Sequence, residues 1–271
     1  MANYHLSGIY VYPVKSLGGI RVNTIKVEEK GLEHDRRWML IDENDTFMTI
    51  RKYAEFLFFQ VEILPEAYRI TFRDDTLTIP HTLQEGDKVF TEVWGSGVEA
   101  IVGHQDWNQW FSDRLGVQCR LVHMPENAQR KIKAQWGEST VSFADGYPFL
   151  IAGKASLDDL NARLDVPVEM GRFRPNLVFE GGEAYEEFRW SRFTIGRNHF
   201  QGLKPCERCV VTTYDLTTGE KGREPLLTLS KQKVNDKIVF GQHTLALDHL
   251  EISEGDEIIV EHYKDSPYDP L

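Results

Sequence analysis

Short runs of alternating apolar and polar residues, each closed by Gly, Pro, Asp or Asn, fill the first hundred positions of this chain. "HLSGIYVYP", "RVNTIKVEE", "RRWMLIDEN", "AYRITFRDD" and "DKVFTEVW" all mix branched and aromatic residues with polar ones. A period of two sends successive side chains to opposite faces of a strand, and a helix would need a 3.6-residue repeat. The pattern predicts a meander or barrel. "IDENDTFMTI" reads as a hairpin turning at Asn44 and Asp45. "MANYHLSGIYVYPVKS" has no basic leading region and no long apolar run, so it reads as a strand entering the fold.

Helical spacing is rarer. "DWNQWFSDRLG" places Trp107, Trp110, Phe111 and Leu115 on one face, with Asp106 as the expected cap and Gly116 as the stop. "SLDDLNARL" predicts a second helix, with Ser156 and Asp159 as a capping box. Between them, "QWGESTVSFADGYPFLIAG" is a turn-rich loop running into a buried strand. Past residue 172, "PNLVFEG", "RFTIGRNHF", "CVVTTYD" and "DEIIVEHY" read as strands. "EGDEIIVEHY" echoes "EGDKVFTEVW", which fits reuse of a barrel turn without a fixed repeat. "GEKGREP" at 219–225 reads as a mobile polar loop.

The chain has 271 residues, 41% of them hydrophobic, enough to bury a substantial core without covalent staples. Its three cysteines leave one unpaired and rule out a disulfide framework, which suits a reducing compartment. A net charge of −11 argues against a general nucleic-acid binder. On so acidic a chain, positive runs are informative: Lys15 to Arg37, Arg172 to Arg174, and Lys204 to Arg208.

"KPCERC" at 204–209 admits several chemistries. A thioredoxin-like pair sits at a helix N-terminus, and the β-branched run after Cys209 disfavours that. Structural zinc wants four ligands, and only Cys119 and His199 are left to help. A single functional thiolate held ionised by Lys204 and Arg208 remains, as does a pair of ordinary core cysteines.

"YPVKSLGG" sets Lys15 and Ser16 before paired glycines that would let backbone N–H groups approach a ligand, without the order of a Walker loop. In "EHDRRW", alternation lets only one of Arg36 and Arg37 enter a site. In "GRFRPNLVF", Arg172 and Arg174 would project to one face, where two guanidinium groups need an anion or carboxylates between them. Asp145 lies in the turn "FADGYPF". His34, His81, His104 and His123 lack metal-site spacing, and there is no nucleophile elbow or dinucleotide fingerprint.

Taken in order, "YPVKS", "GLEHDRRW", "RFRPN", "KPCERCVVTTYDLTTG" and a late "FGQ" resemble MOSC-domain proteins that carry a MOSC N-terminal β-barrel domain. The mitochondrial amidoxime-reducing components and their bacterial relatives belong to that family. The resemblance spans nearly the whole chain. It implies a mostly β fold with α+β elements: two β-barrel-like parts sharing an interface, with a few short helices. Residues 1–116 would form the N-terminal barrel and 117–265 the MOSC domain, with a soft boundary and a tail over 266–271.

The resemblance further implies a molybdenum cofactor, a phosphorylated pterin dithiolene carrying an oxo-molybdenum centre. Cys209 would be the protein ligand to the metal, and Cys206 a structural neighbour. Lys15, Ser16, Arg36, Arg172, Arg174 and Asn176 would cradle the phosphate and pterin. Glu207 and Arg208 would bind the cofactor near the metal, and Asp145, as a catalytic residue, and Gly146 would lie on a loop facing the active site. The implied reaction is reduction of N-hydroxylated substrates, and the alternative is a cofactor carrier or sulfur-transfer module. Some relatives carry a C-terminal iron–sulfur domain whose cysteines are absent here, so electrons are expected from a separate ferredoxin, flavoprotein or b5-like partner. A soluble, cytoplasmic protein without membrane or nucleic-acid partners is expected.

Overall fold

The computed structural model describes residues 3–269. Of the tail expected over 266–271, positions 270 and 271 lie outside them, as do Met1 and Ala2 of the opening stretch. The chain is mostly β, built from a closed seven-strand barrel and a half-barrel. Around the closed barrel the strands run Leu177–Glu180, Phe149–Gly153, Val239–Ala246, Asn198–Glu207, Trp190–Ile195, Glu257–Tyr263 and Tyr4–Val11; the last pairs back to the first.

Sequence pattern accounts for these strands. Tyr4–Val11 alternates until Gly8, where the pairing with Leu177–Glu180 slips by one residue and two neighbours, Gly8 and Ile9, become buried together. That slip is a bulge, and it bends the strand around the barrel. Phe149–Gly153 is buried along its whole length, as its unbroken apolar run requires. It lies parallel to Leu177–Glu180, and the crossover between them carries the helix Lys154–Asn161. Tyr4, Leu6, Val11, Ile151, Phe179, Trp190 and Phe193 pack the barrel interior, each side chain contributing roughly 1.5–3 kcal/mol on burial.

The half-barrel is a four-stranded sheet in the order Trp38–Asp42, Cys119–His123, Ser96–Val102, Lys88–Val93. A meander of Phe59–Ile63, Ala67–Phe72 and Asp75–Pro80 lies beside it. Trp38, Leu40, Phe59, Phe111 and Leu121 share one core with this meander. Sheet membership therefore does not follow chain order. The first strand serves the barrel of the second half, and Cys119–His123 completes the sheet of the first. The 42–47 hairpin is short, with one bridge from Ile41 to Phe47 and Asp45 in the left-handed region.

Several local expectations are corrected. The helix Gln105–Leu115 starts two residues early, with His104 at its N-cap position, so Asp106 is not its cap; Gly116 does close it, with φ of 66°. The helix Lys154–Asn161 begins before Ser156, whose hydroxyl donates to the buried Glu187 instead of capping. No strand follows Cys209. Val210–Thr213 forms a 3-10 turn, held by the Thr212 hydroxyl donating to Cys209 O and that of Thr213 to Val210 O. Local side-chain bonds to the backbone here outweigh the β preference of the sequence. Met170–Phe173 is also a 3-10 turn, and Arg174 is left-handed with φ of 52°, so the two arginines do not alternate along a strand.

Candidate functional site

One cavity of about 500 Å³ lies where the two halves meet. Its size falls within the range of small-ligand sites. Lys15, Arg36, Arg51, Lys133, Arg174, Lys204 and Arg208 border it, against only Asp145 and Glu207 as acids. On a chain of net charge −11, that is a concentrated positive pocket.

Three backbone segments build the basic wall. The loop after the first strand is tied down by Lys15 N donating to Trp38 O at 2.8 Å. Its glycines serve packing: a side chain at Gly18 would meet Phe59 O at 2.7 Å, and one at Gly19 the Tyr12 ring at 2.4 Å. Lys15 is 5% exposed, and its Nζ donates to Phe143 O at 2.8 Å and Asp145 Oδ1 at 2.5 Å. Burial lowers its pKa to about 8, although the Asp145 charge pulls the other way.

Arg36 sits in a left-handed turn with φ of 53°. Its backbone N–H donates to Tyr12 O, and its Nη1 donates to buried Asp35 at 2.6 Å and to Asn176 Oδ1 at 3.3 Å. Arg37 leaves in another direction to Glu28, so only one of the pair enters the site. The Arg36 and Arg174 guanidinium groups lie 4.4 and 4.2 Å from the Tyr12 ring centroid. Burial brings Arg174 down to about 10, with Arg36 adding to the effect and Tyr12 opposing it. Asn176 also lines the cavity, but its amide is spent on the fold, donating to Tyr10 O and accepting from Leu150 N.

Asp145 lines the cavity beside Lys15, on a loop held from behind by buried Arg130, which donates to Ser142 O, to Ala144 O at 2.7 Å and to Asp145 O at 3.0 Å. Burial raises the Asp145 pKa, but Lys15, then Arg51 and Trp94, outweigh it and hold the carboxyl well below the ordinary range. The side chain is 57% exposed, so solvent screening makes the pair an orienting contact more than a source of stability. Beyond Gly146 there is open space.

The cysteines divide clearly. Cys206, at the end of the strand Asn198–Glu207, is buried and accepts a hydrogen bond from Arg208 Nη1 at 2.8 Å. Burial raises its pKa against that arginine. Cys209 is half-buried at the cavity, and Arg51 Nη2 donates to its Sγ at 3.2 Å. The basic partner of Cys209 is therefore Arg51, which sequence reasoning missed. Lys204 pairs instead with Glu207 at 3.1 Å, and Arg208 with Cys206 and Phe173 O.

Of the residues expected from the sequence, Lys15, Ser16, Arg36, Asp145, Gly146, Arg174, Asn176, Glu207, Arg208 and Cys209 line this one cavity. Arg172 does not; its guanidinium donates to Asp215 at 2.9 Å. The wall adds Trp94, Tyr147 and His243, whose ring tilts against Tyr147 at 4.5 Å. Burial keeps His243 neutral, down to about 3, and its Nδ1 has no partner among the described residues. No group of three His, Cys, Asp or Glu able to hold a metal occurs among the described residues. His199 is bonded to Asp248.

Comparison with known proteins adds two family matches, the MOSC N-terminal beta barrel domain over residues 3–118 and the MOSC domain over 138–259. Mitochondrial amidoxime-reducing component 1 of Mus musculus is 31% identical over 92% of this chain and 80% of its own length. Mitochondrial amidoxime reducing component 2 of Bos taurus is 30% identical over 85% and 73%. Molybdenum cofactor sulfurase of Oryza sativa subsp. japonica is 28% identical over 94% of this chain, which spans only 34% of that protein. No helix among the described residues is long and apolar enough to cross a membrane.

Proposed function

Because the chain belongs to the family of MOSC-domain proteins with a MOSC N-terminal β barrel, we propose that its cavity binds the molybdenum cofactor and reduces N-hydroxylated compounds. The carrying observation is the half-buried Cys209 thiol facing a cavity walled by arginine and lysine. The residues suit the group. Thiolate is a soft ligand for the metal, and a phosphate dianion matches the forks of Arg36 and Arg174 beside Lys15. The unpartnered Nε of Arg208 and Nδ1 of His243 are further polar atoms in that wall.

When bound, the cofactor would supply a metal centre that exchanges two electrons with the substrate. For an amidoxime the balance is R–C(=NOH)NH₂ + 2e⁻ + 2H⁺ → R–C(=NH)NH₂ + H₂O. The protein's own contribution is binding and orientation. Lys15, Ser16, Arg36 and Arg174 hold the phosphate end, and Asn176 fixes Arg36 from behind. Arg51 orients the Cys209 sulfur by donating a hydrogen bond to it. Asp145 stays ionised at neutral pH, so it orients Lys15 and Arg51 and accepts hydrogen bonds; it is no proton donor there. Both the 1–116 part and the 117–265 part would contribute to the site, and a separate ferredoxin, flavoprotein or b5-like protein would supply electrons.

A second reading, a cofactor carrier or sulfur-transfer module, draws on the similarity to molybdenum cofactor sulfurase. The test is benzamidoxime reduction with a chemical electron donor, using protein purified from cells that make the cofactor. Turnover together with near one molybdenum per chain is expected. Molybdenum without turnover would favour the carrier, and absence of molybdenum would sink both.

A further inference from the structure

Trp94 stands at the tip of the hairpin joining Lys88–Val93 to Ser96–Val102. Trp94 and Gly95 have φ of 54° and 79°, the left-handed pair of a tight hairpin turn. Asn, Asp or Gly suits the first of these positions, and a bulky residue there is strained. The indole is also 53% exposed, unusual for so large an apolar surface. A turn-stabilising role explains neither feature, because a smaller residue would make the same turn with less strain.

Its surroundings give the ring a use. Trp94 borders the cavity, and the Arg51 guanidinium lies 4.2 Å from its ring centroid. Phe47 packs at 4.9 Å with an interplanar angle of 76°. The same Arg51 reaches Cys209 Sγ at 3.2 Å and Asp145 Oδ2 at 3.6 Å. The ring is thus held by a residue that touches the thiol, and about half of its own surface stays open at the border of the cavity. A flat π surface set beside a reactive centre favours flat partners through stacking.

Resting on the reductase reading, we propose that Trp94 is a specificity-determining platform that stacks planar, conjugated N-hydroxylated substrates. Aryl amidoximes and N-hydroxylated bases would then be preferred over saturated analogues bearing the same N–O group.

Benzamidoxime and acetamidoxime, compared on the molybdenum-loaded protein, test this, because they share the reacting group and differ in the ring. Trp94→Asn removes the ring while suiting the turn, and Trp94→Phe keeps a smaller one. The kcat/KM ratio of benzamidoxime to acetamidoxime is expected to fall about 3- to 10-fold in Trp94→Asn, carried by KM. Trp94→Phe should recover most of it. An unchanged ratio in Trp94→Asn, or an equal loss on both substrates, would overturn the platform. Calorimetric titration of the two ligands separates this inference from its parent. Trp94-dependent benzamidoxime binding without turnover supports the platform and defeats the reductase reading. Turnover of both with a ratio indifferent to Trp94 defeats the platform alone.

Discussion

Arg174 and Cys206 line the same cavity and carry opposite expectations. Arg174 is a half-buried cation stacked on Tyr12, with no carboxylate among its hydrogen-bond partners in the described residues. Arg174→Ala should weaken cofactor retention by about 10- to 100-fold, the worth of one charge-assisted hydrogen bond. Cys206 is a buried thiol bonded to Arg208, so Cys206→Ala should retain some metal. Equal and total loss of molybdenum in both variants would contradict this division. Lys15 adds a pH dependence. Its folded pKa lies below the ordinary lysine value, so the unfolded chain binds more protons between about pH 8 and that value. Folding stability from this group therefore rises with pH through that window, while its charge and its grip on a phosphate fall. Pterin retained after dialysis should drop about 3-fold or more from pH 7 to pH 9, and Lys15→Met should flatten that step. An identical step in the variant would remove Lys15 from the phosphate end.

Elements that follow from side-chain periodicity were legible in the sequence; those that follow from hydrogen bonding were not. The alternating runs became strands, and Gly116 closed its helix because a left-handed residue ends one cheaply. Val210–Thr213 defeated the same logic, since threonine hydroxyls reach back to carbonyls in a way propensity does not register. In the site, the motif residues Lys15, Arg36, Arg174 and Cys209 could be found, but Arg51, Trp94 and His243 lie in stretches with no motif. Docking of one half on the other brings in Arg51 and Trp94, and strand pairing sets His243 opposite Lys204; single-chain spacing carries no trace of either. The helix Lys154–Asn161 illustrates a further hidden device. Glu187, fully buried, accepts from Gly153 N and the Ser156 hydroxyl at its start, and burial raises its pKa to about 7. A carboxyl raised in the folded state costs stability as pH rises from its ordinary value through about 7. Chemical denaturation should show wild type losing on the order of 2 kcal/mol between pH 5 and pH 8 through this group, a slope absent in Glu187→Gln. The same slope in both would refute it.

At the scale of the molecule, the chain is acidic on balance and yet sets seven of its 31 lysines and arginines around one cavity between two barrel-like bodies. The crossed membership of the sheets ties the two halves together. The first strand closes the barrel that carries Cys209, and Arg51, from the other body, touches its sulfur. A site divided in this way can hold a dianion at one end and a soft metal at the other, which is the central claim. The most direct test is molybdenum content per chain in wild type and in Cys209→Ala, purified side by side from cells that make the cofactor. The account predicts near one molybdenum per chain in wild type and its loss in Cys209→Ala with the fold intact. Equal molybdenum in the two proteins, or none in either, would contradict it.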